Sequence, residues 1–146
     1  MKNELAQGLN AYLADVAVSY IKWHNLHWNV VGVQFKSVHE YLETLYDALA
    51  DVLDEVAELL KMNGETPLAS MKEYLAVTSI KELDSTEISV GDTLATVIAD
   101  MEHLQATAVA LRSSADEADA YDVVGMMEDN LSEYKKNLWF LHSMVK

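Results

Sequence analysis

Histidine and carboxylate side chains are the groups of this chain best suited to chemistry, and their spacing is specific. His24 and His27 stand in one stretch; His39, Glu43, Asp54 and Glu58 stand in the next. His39 and Glu43 are four residues apart, as are Asp54 and Glu58, so on a helix each pair shares a face. Eleven residues, about three turns, separate Glu43 from Asp54, which points both pairs roughly the same way. At ~1.5 Å per residue, however, His39 and Asp54 lie ~22 Å apart along the axis. One metal ion cannot be held by both pairs of a single chain. A second copy laid antiparallel, crossing near residues 48–49, brings the His39/Glu43 pair of one subunit against the Asp54/Glu58 pair of the other. That makes two equivalent shared sites per dimer. His27, near the end of the preceding helix, can come level with His39. Two imidazoles and up to three carboxylates suit Fe(II), and also Mn(II), Co(II) or Zn(II), with open positions left for water or an oxidant. Ordinary surface ion pairing fits the same spacing. No Glu-x-x-His occurs, which argues against a di-iron centre inside one bundle.

Helices must position these groups. Leu5, Leu9, Tyr12, Val16, Tyr20, Trp23, His27 and Val30 step at threes and fours, predicting a first helix over 3–30 with Asn3 at its cap. Asn29 and Gly32 fall where it should stop. Val38, Leu42, Leu45, Leu49, Val52/Leu53, Val56 and Leu59 predict a second over 37–62, ended by Asn63-Gly64 with Gly64 left-handed. Residues 65–88 hold the single proline and a short helical patch, 70–77, and read as a crossover along the bundle. Leu94, Val97, Ile98, Met101, Leu104, Ala108 and Leu111 predict a third long helix over 90–113. Met127, Leu131, Tyr134, Leu138, Leu141 and Val145 predict a fourth over 119–144. Two hairpins joined by one long crossover make an all-α, ferritin-like four-helix bundle. No repeat or linker divides the chain, so one domain over 1–146 is expected.

Composition sets outer bounds. The chain has 146 residues, 51% of them hydrophobic, and no cysteine. Disulfides, thiolate metal sites and cysteine nucleophiles are excluded. No apolar run is long enough to span a bilayer, and MKNELAQGLNAYL has no apolar export core, so a cytosolic protein is expected. Ten basic against 24 acidic residues give a net charge of −14. That charge repels nucleic acid and anionic membranes and suits a cation-handling protein.

The stretch HNLHWNVVGVQFKSVHEYLETLYDALADVLDEVAELLKMNG, from His24 to Gly64, resembles the Dps family of mini-ferritins, the DNA-binding proteins from starved cells. His27-Trp28-Asn29, Gly32, Phe35, Val38-His39-Glu40, Asp54-Glu55-Val56-Ala57-Glu58 and Gly64 carry the resemblance, with Leu138-Trp139-Phe140 near the end. It implies a homo-dodecameric shell built from two-fold dimers, with an iron-oxidising centre at each two-fold interface. Fe(II) would be the substrate, oxidised by hydrogen peroxide or dioxygen, and ferric oxide would collect inside. The resemblance assigns His27 and His39 as iron ligands from one subunit. It assigns Asp54 and Glu58 to the partner, with Glu58 the bridge between two iron positions. Glu43 stands where the family more often has Asp and is held as a second ligand to the weaker position. Trp28 and Trp139 look like the family's interface aromatics. Leu59 replaces the arginine that often follows the motif's glutamate, removing a positive neighbour. His24 reads either as a further ligand or as a surface histidine; His103 and His142 fall outside the pattern.

Residues 116–133 contain seven acids. In the resembling family the start of the last helix lines an acidic three-fold pore, which nominates Glu117, Asp119 and Asp122, with Met126 further in. A solvated helix start fits these letters equally well. Strong direct DNA binding is not expected, since Lys2 alone precedes the first helix and no basic extension follows the last. A DNA-associated module, or a structural shell with little redox activity, remains the alternative.

Overall fold

The computed structural model describes residues 1–146. In chain order the elements are α1 (Asn3–Asn29), β1 (Val30–Val31), α2 (Phe35–Met62), α3 (Met71–Val77), β2 (Ile88–Ser89), α4 (Val90–Glu117) and α5 (Tyr121–Met144). α1 packs along α2 and α4 along α5, forming two hairpins; α1 also lies against α4, and α2 meets α5 through side chains, Tyr41 Oη donating to Asn137 Oδ1 at 2.8 Å. The crossover from α2 to α4 carries α3 and runs beside α1. This is the ferritin-like bundle with a short helix in its crossover.

Local chemistry accounts for the boundaries. Gly64 adopts φ +77° after α2. The Gly64 N–H then reaches the Lys61 carbonyl, and the Glu65 N–H the Leu60 carbonyl, which satisfies two carbonyls the helix end leaves open. Ser70 caps α3: its Oγ accepts from the Glu73 N–H and donates to the Glu73 carboxylate, satisfying one of the helix's open N–H groups. Ser89 caps α4 by accepting from the Asp92 N–H at 3.1 Å. Asn3, expected as a cap, is instead the first helical residue of α1, and no side chain caps that end.

Two boundaries differ from the periodicity. α4 continues four residues past 113, because Ala115 is fully buried and extends the apolar stripe through the acidic stretch. The break before α5 falls at Ala118–Ala120, where Asp119 turns the chain with φ 55°; aspartate is among the residues that tolerate this left-handed conformation. Val145 lies beyond α5 and is exposed, not on its buried side. The periodicity also gave no sign of the parallel bridge that pairs Val30 with Ile88 and Val31 with Ser89. It ties the end of α1 to the start of α4, just below the α1–α2 turn at Gly32, whose φ is +138°.

One continuous core fills the bundle, drawn from the predicted stripes of all four long helices. α1 is buried almost all round, because α2, α4 and the crossover each cover a side. Polar groups are therefore trapped with it, and each needs a partner. Asp15 accepts from the Thr78 hydroxyl, the Ser79 N–H and His103 Nε2, pinning the crossover to α1 and α4. Lys22 Nζ pairs with Asp100 Oδ1 at 2.9 Å, and Trp23 Nε1 donates to Asp100 Oδ2.

Deeper in the bundle the Tyr12 and Tyr134 hydroxyls bond to each other, and Asn130 Nδ2 donates to Tyr12 Oη at 3.0 Å. Tyr12→Phe leaves two buried groups without a partner, and is expected to cost about 1–3 kcal/mol, read as a lower urea midpoint by far-ultraviolet circular dichroism. Burial lifts the Tyr12 phenol from 10.0 to about 12, against the smaller opposing pull of its hydrogen bonds to Tyr134 and Asn130. Burial also holds Tyr134 well above 10.0. Folding therefore favours both neutral phenols. The Tyr12 contribution is complete below the ordinary tyrosine value of 10.0 and is lost as pH rises from there through about 12, and that of Tyr134 is lost as pH rises above 10.0 in the same direction. In an absorbance titration these tyrosines should ionise only in the alkaline unfolding transition.

Candidate metal centre

The turn through Gly32 folds α2 back on α1 so that His27 and His39 meet. Their rings stack, 3.7 Å between centroids and 13° between planes. Each donates Nδ1–H to the other's backbone carbonyl, His27 to His39 O at 2.6 Å and His39 to His27 O at 2.7 Å. A carbonyl can only accept, so both Nδ1 atoms carry a proton, and in the neutral form of each ring Nε2 is the nitrogen with the lone pair. This is the tautomer a metal ligand needs, held by the backbone of the other helix. Phe35 stacks on the outer side of His39 at 4.9 Å. His27 is buried and His39 half-buried.

The carboxylates are arranged differently. Glu43, Asp54 and Glu58 all lie exposed on α2. Asp54 and Glu58 have no hydrogen-bond or ion-pair partner within the chain, and Glu43 accepts only a long bond from Tyr46 at 3.4 Å. No three His, Asp or Glu side chains of one chain converge on a single metal position. The fold thus brings the two imidazoles together and leaves Asp54 and Glu58 further along α2, facing outward.

One aromatic neighbour of the pair, Tyr46, belongs to neither the ligand pattern nor the resemblance. Tyr46 sits beside the imidazole pair, meeting His27 edge-on at 5.2 Å. It is seven residues from His39, two turns along the same face, and that spacing was the available clue. His24 stacks on Tyr46 at 3.6 Å and donates Nδ1–H to the Tyr20 carbonyl, so it is packed beside the pair rather than stacked within it. Burial, then the Glu43 carboxylate, raises the Tyr46 phenol above its ordinary value. Trp28 and Trp139 are exposed, at 67% and 66%. His103 pairs with Asp15, away from the imidazole pair, and His142 is exposed on the last turn of α5.

The nominated pore acids do not all stand at a helix start. Glu117 ends α4, Asp119 is in the turn, and Asp122 is in the first turn of α5. All three are exposed. Asp122 is tied down: Asn63 Nδ2 donates to its Oδ2 at 2.9 Å, linking the end of α2 to the start of α5.

A four-helix bundle with one long crossover is the ferritin-like topology, and the ferritin-like domain family model matches residues 6–146. The antigen TpF1 of Treponema pallidum is 36% identical over 142 residues, 97% of this chain and 80% of that protein. Its crystal structure matches with TM-score 0.96 over 98% of this chain and 92% of that one. The DNA protection during starvation protein of Helicobacter pylori is 32% identical over 130 residues, 89% of this chain and 90% of that protein. The crystal structure of a Dps protein from Bacillus brevis, 32% identical, matches with TM-score 0.93 and covers 100% of both chains. The chain belongs to the Dps family of mini-ferritins.

Proposed function

We propose that this protein oxidises Fe(II) at sites shared between two subunits and stores the ferric product inside a dodecameric shell. The observation that carries the reading is the imidazole pair: two Nε2 lone pairs freed by reciprocal Nδ1–H bonds, beside exposed carboxylates that no single chain can gather round one ion. Membership of the Dps family supports it. A Dps protein from Vibrio cholerae, 27% identical, is described as one of the ferritin-like diiron-carboxylate proteins.

In this reading His27 and His39 bind Fe(II) from one subunit, and the partner subunit's Asp54 and Glu58 complete the site. Glu58 bridges two iron positions and Glu43 serves the weaker one. The negative carboxylates offset the charge gained when Fe(II) becomes Fe(III), and the imidazoles supply nitrogen lone pairs without adding charge. Few protein ligands per ion leave positions open for hydrogen peroxide or dioxygen. Glu117, Asp119 and Asp122 would focus negative potential where iron enters, and Trp28 and Trp139 would shield the interface. The cytosol is the compartment proposed. The net charge of −14 argues against strong direct DNA binding. No helix is long and apolar enough to cross a membrane.

The test is anaerobic loading with Fe(II) followed by limiting hydrogen peroxide. About two Fe(II) consumed per peroxide, the electron count for reduction to water, with ferric iron eluting on the assembled protein, is the expected result. Consumption no faster than a protein-free control would leave a structural shell as the better reading.

A further inference from the structure

Asn63 ties the end of α2 to the start of α5. Its Nδ2 donates to the Leu59 carbonyl and to Asp122 Oδ2, each at 2.9 Å. Asp122 Oδ1 accepts from the Val123 N–H, so Asn63 supplies the only side-chain donor to that carboxylate. Asn63 is half-buried, and Gly64 and Asp122 are exposed. Asn63 and Asp122 line a surface cleft of about 480 Å³ together with Lys2, Leu5, Asp119 and Tyr121. Asn63 is also the one asparagine of the chain followed by glycine; every other is followed by a residue with a side chain and lies within a helix. Glycine leaves the next backbone nitrogen unhindered. Chain neighbours aside, nothing packs within 4 Å of where a Cβ would stand on Gly64, which leaves room for a succinimide ring. Helix capping explains the glycine. It does not explain an asparagine whose amide bridges to another helix.

We propose that Asn63 is a self-modifying site: its side chain cyclises onto the Gly64 nitrogen and hydrolyses, which turns the latch between α2 and α5 into a repulsive pair of carboxylates. The inference does not rest on the ferroxidase reading. In the first step the Gly64 nitrogen bonds to the Asn63 side-chain carbonyl carbon and the bond to Nδ2 breaks. Ammonia leaves, carrying the Gly64 amide proton. In the second step water opens the ring, its hydroxyl going to a carbonyl carbon and its proton to the ring nitrogen. Opening at the side-chain carbonyl gives aspartate; opening at the backbone carbonyl gives isoaspartate, with the chain rerouted through the side chain. The sum is one amide and one water giving one carboxyl group and one ammonia. As folded, the chain restrains this reaction. The Gly64 N–H donates to the Lys61 carbonyl at 3.0 Å, and Nδ2 is held by Leu59 and Asp122. The last turn of α2 must fray before the ring closes, so that local opening sets the rate. Once formed, the carboxylate can only accept. It faces the Leu59 carbonyl and Asp122 Oδ2, both acceptors, and Asp119 adds a further acid to the cleft against the single cation of Lys2.

The test ages the full-length protein in warm, mildly alkaline buffer and maps its peptides by mass spectrometry. Aspartate and isoaspartate should accumulate at position 63 and at no other asparagine. The rate should be about tenfold or more below that of a free peptide of residues 59–69, since three hydrogen bonds must open first. Asp122→Ala removes one of those bonds and should raise the rate about threefold. No conversion at position 63 long after the free peptide has fully converted overturns the proposal. So does an Asp122→Ala rate equal to that of the unmutated protein. Hydrogen-exchange mass spectrometry reads the consequence. Asn63→Asp should lose protection in the last turn of α2 and the first turn of α5, and lose more than Asn63→Ala, which drops the bonds without adding a charge. Equal loss in the two variants overturns the repulsion. Should Asn63→Asp fail to fold, the converted fraction of aged, unmutated protein, separated by anion exchange, takes its place in that comparison.

Discussion

Asp54→Ala should abolish fast Fe(II) oxidation while the protein elutes as the same oligomer. Asp54 is exposed on α2 and has no partner within its own chain, so folding should change by no more than about 0.5 kcal/mol. The proposed role lies across the two-fold axis, where its carboxylate completes a site begun by another subunit's imidazoles. Loss of an outer partner to a metal ligand commonly costs about 10–100-fold in affinity or activity, so removal of a ligand should cost about 100-fold or more. Glu55→Ala is the control. Glu55 is equally acidic and exposed but turned about 100° round the helix, and it should oxidise iron at the unmutated rate. Stopped-flow absorbance of ferric iron after mixing with peroxide checks both. Equal rates in Asp54→Ala and the unmutated protein would remove Asp54 from the site. Equal loss in both variants would mean that general surface charge, not ligation, governs the rate.

The second large effect concerns stability. Lys22→Ala strands the Asp100 carboxylate in the bundle. Both side chains are nearly buried, at 6% and 9% exposure. Burial raises the Asp100 pKa, and the Lys22 bond and charge are the leading influences that oppose the rise. Breaking a buried pair by removing one partner costs about 3–5 kcal/mol, roughly a 10 °C fall in Tm for a chain of this size at fixed protein concentration. The variant keeps the burial and loses the cation, so its Asp100 favours the protonated form further. Its deficit should therefore shrink under acid, where the carboxyl is neutral, and grow as pH rises through the raised Asp100 value. Differential scanning calorimetry across pH checks this. Lys22→Met with Asp100→Leu should recover most of the loss, since a well-packed apolar pair can replace a buried ion pair at little cost. A deficit independent of pH would mean that lost packing, not the stranded charge, is responsible.

The chain's own letters determine its helices. Apolar residues at helical spacing can be covered only from one side, so Val38, Leu42, Leu45, Leu49, Val56 and Leu59 end up buried on one face of α2 as their spacing requires. The same letters put His39 and Glu43 on one face and separate them from Asp54 and Glu58 by more than one ion can bridge. Helix rise is a local constant, which makes that inference available without a structure. What lies between helices is not local. Nothing in the spacing marks Asp15, Lys22 and Asp100 for burial, which depends on how the crossover and α4 close over α1. Only tertiary contact brings Tyr46 and His24 against the imidazoles, pairs Val30 with Ile88, and sets the tautomer of His27 and His39. That tautomer requires a carbonyl of one helix to stand within hydrogen-bond reach of a ring on another. Spacing along a chain says which residues share a face; the turn at Gly32 and the packing of α2 on α1 decide which faces meet.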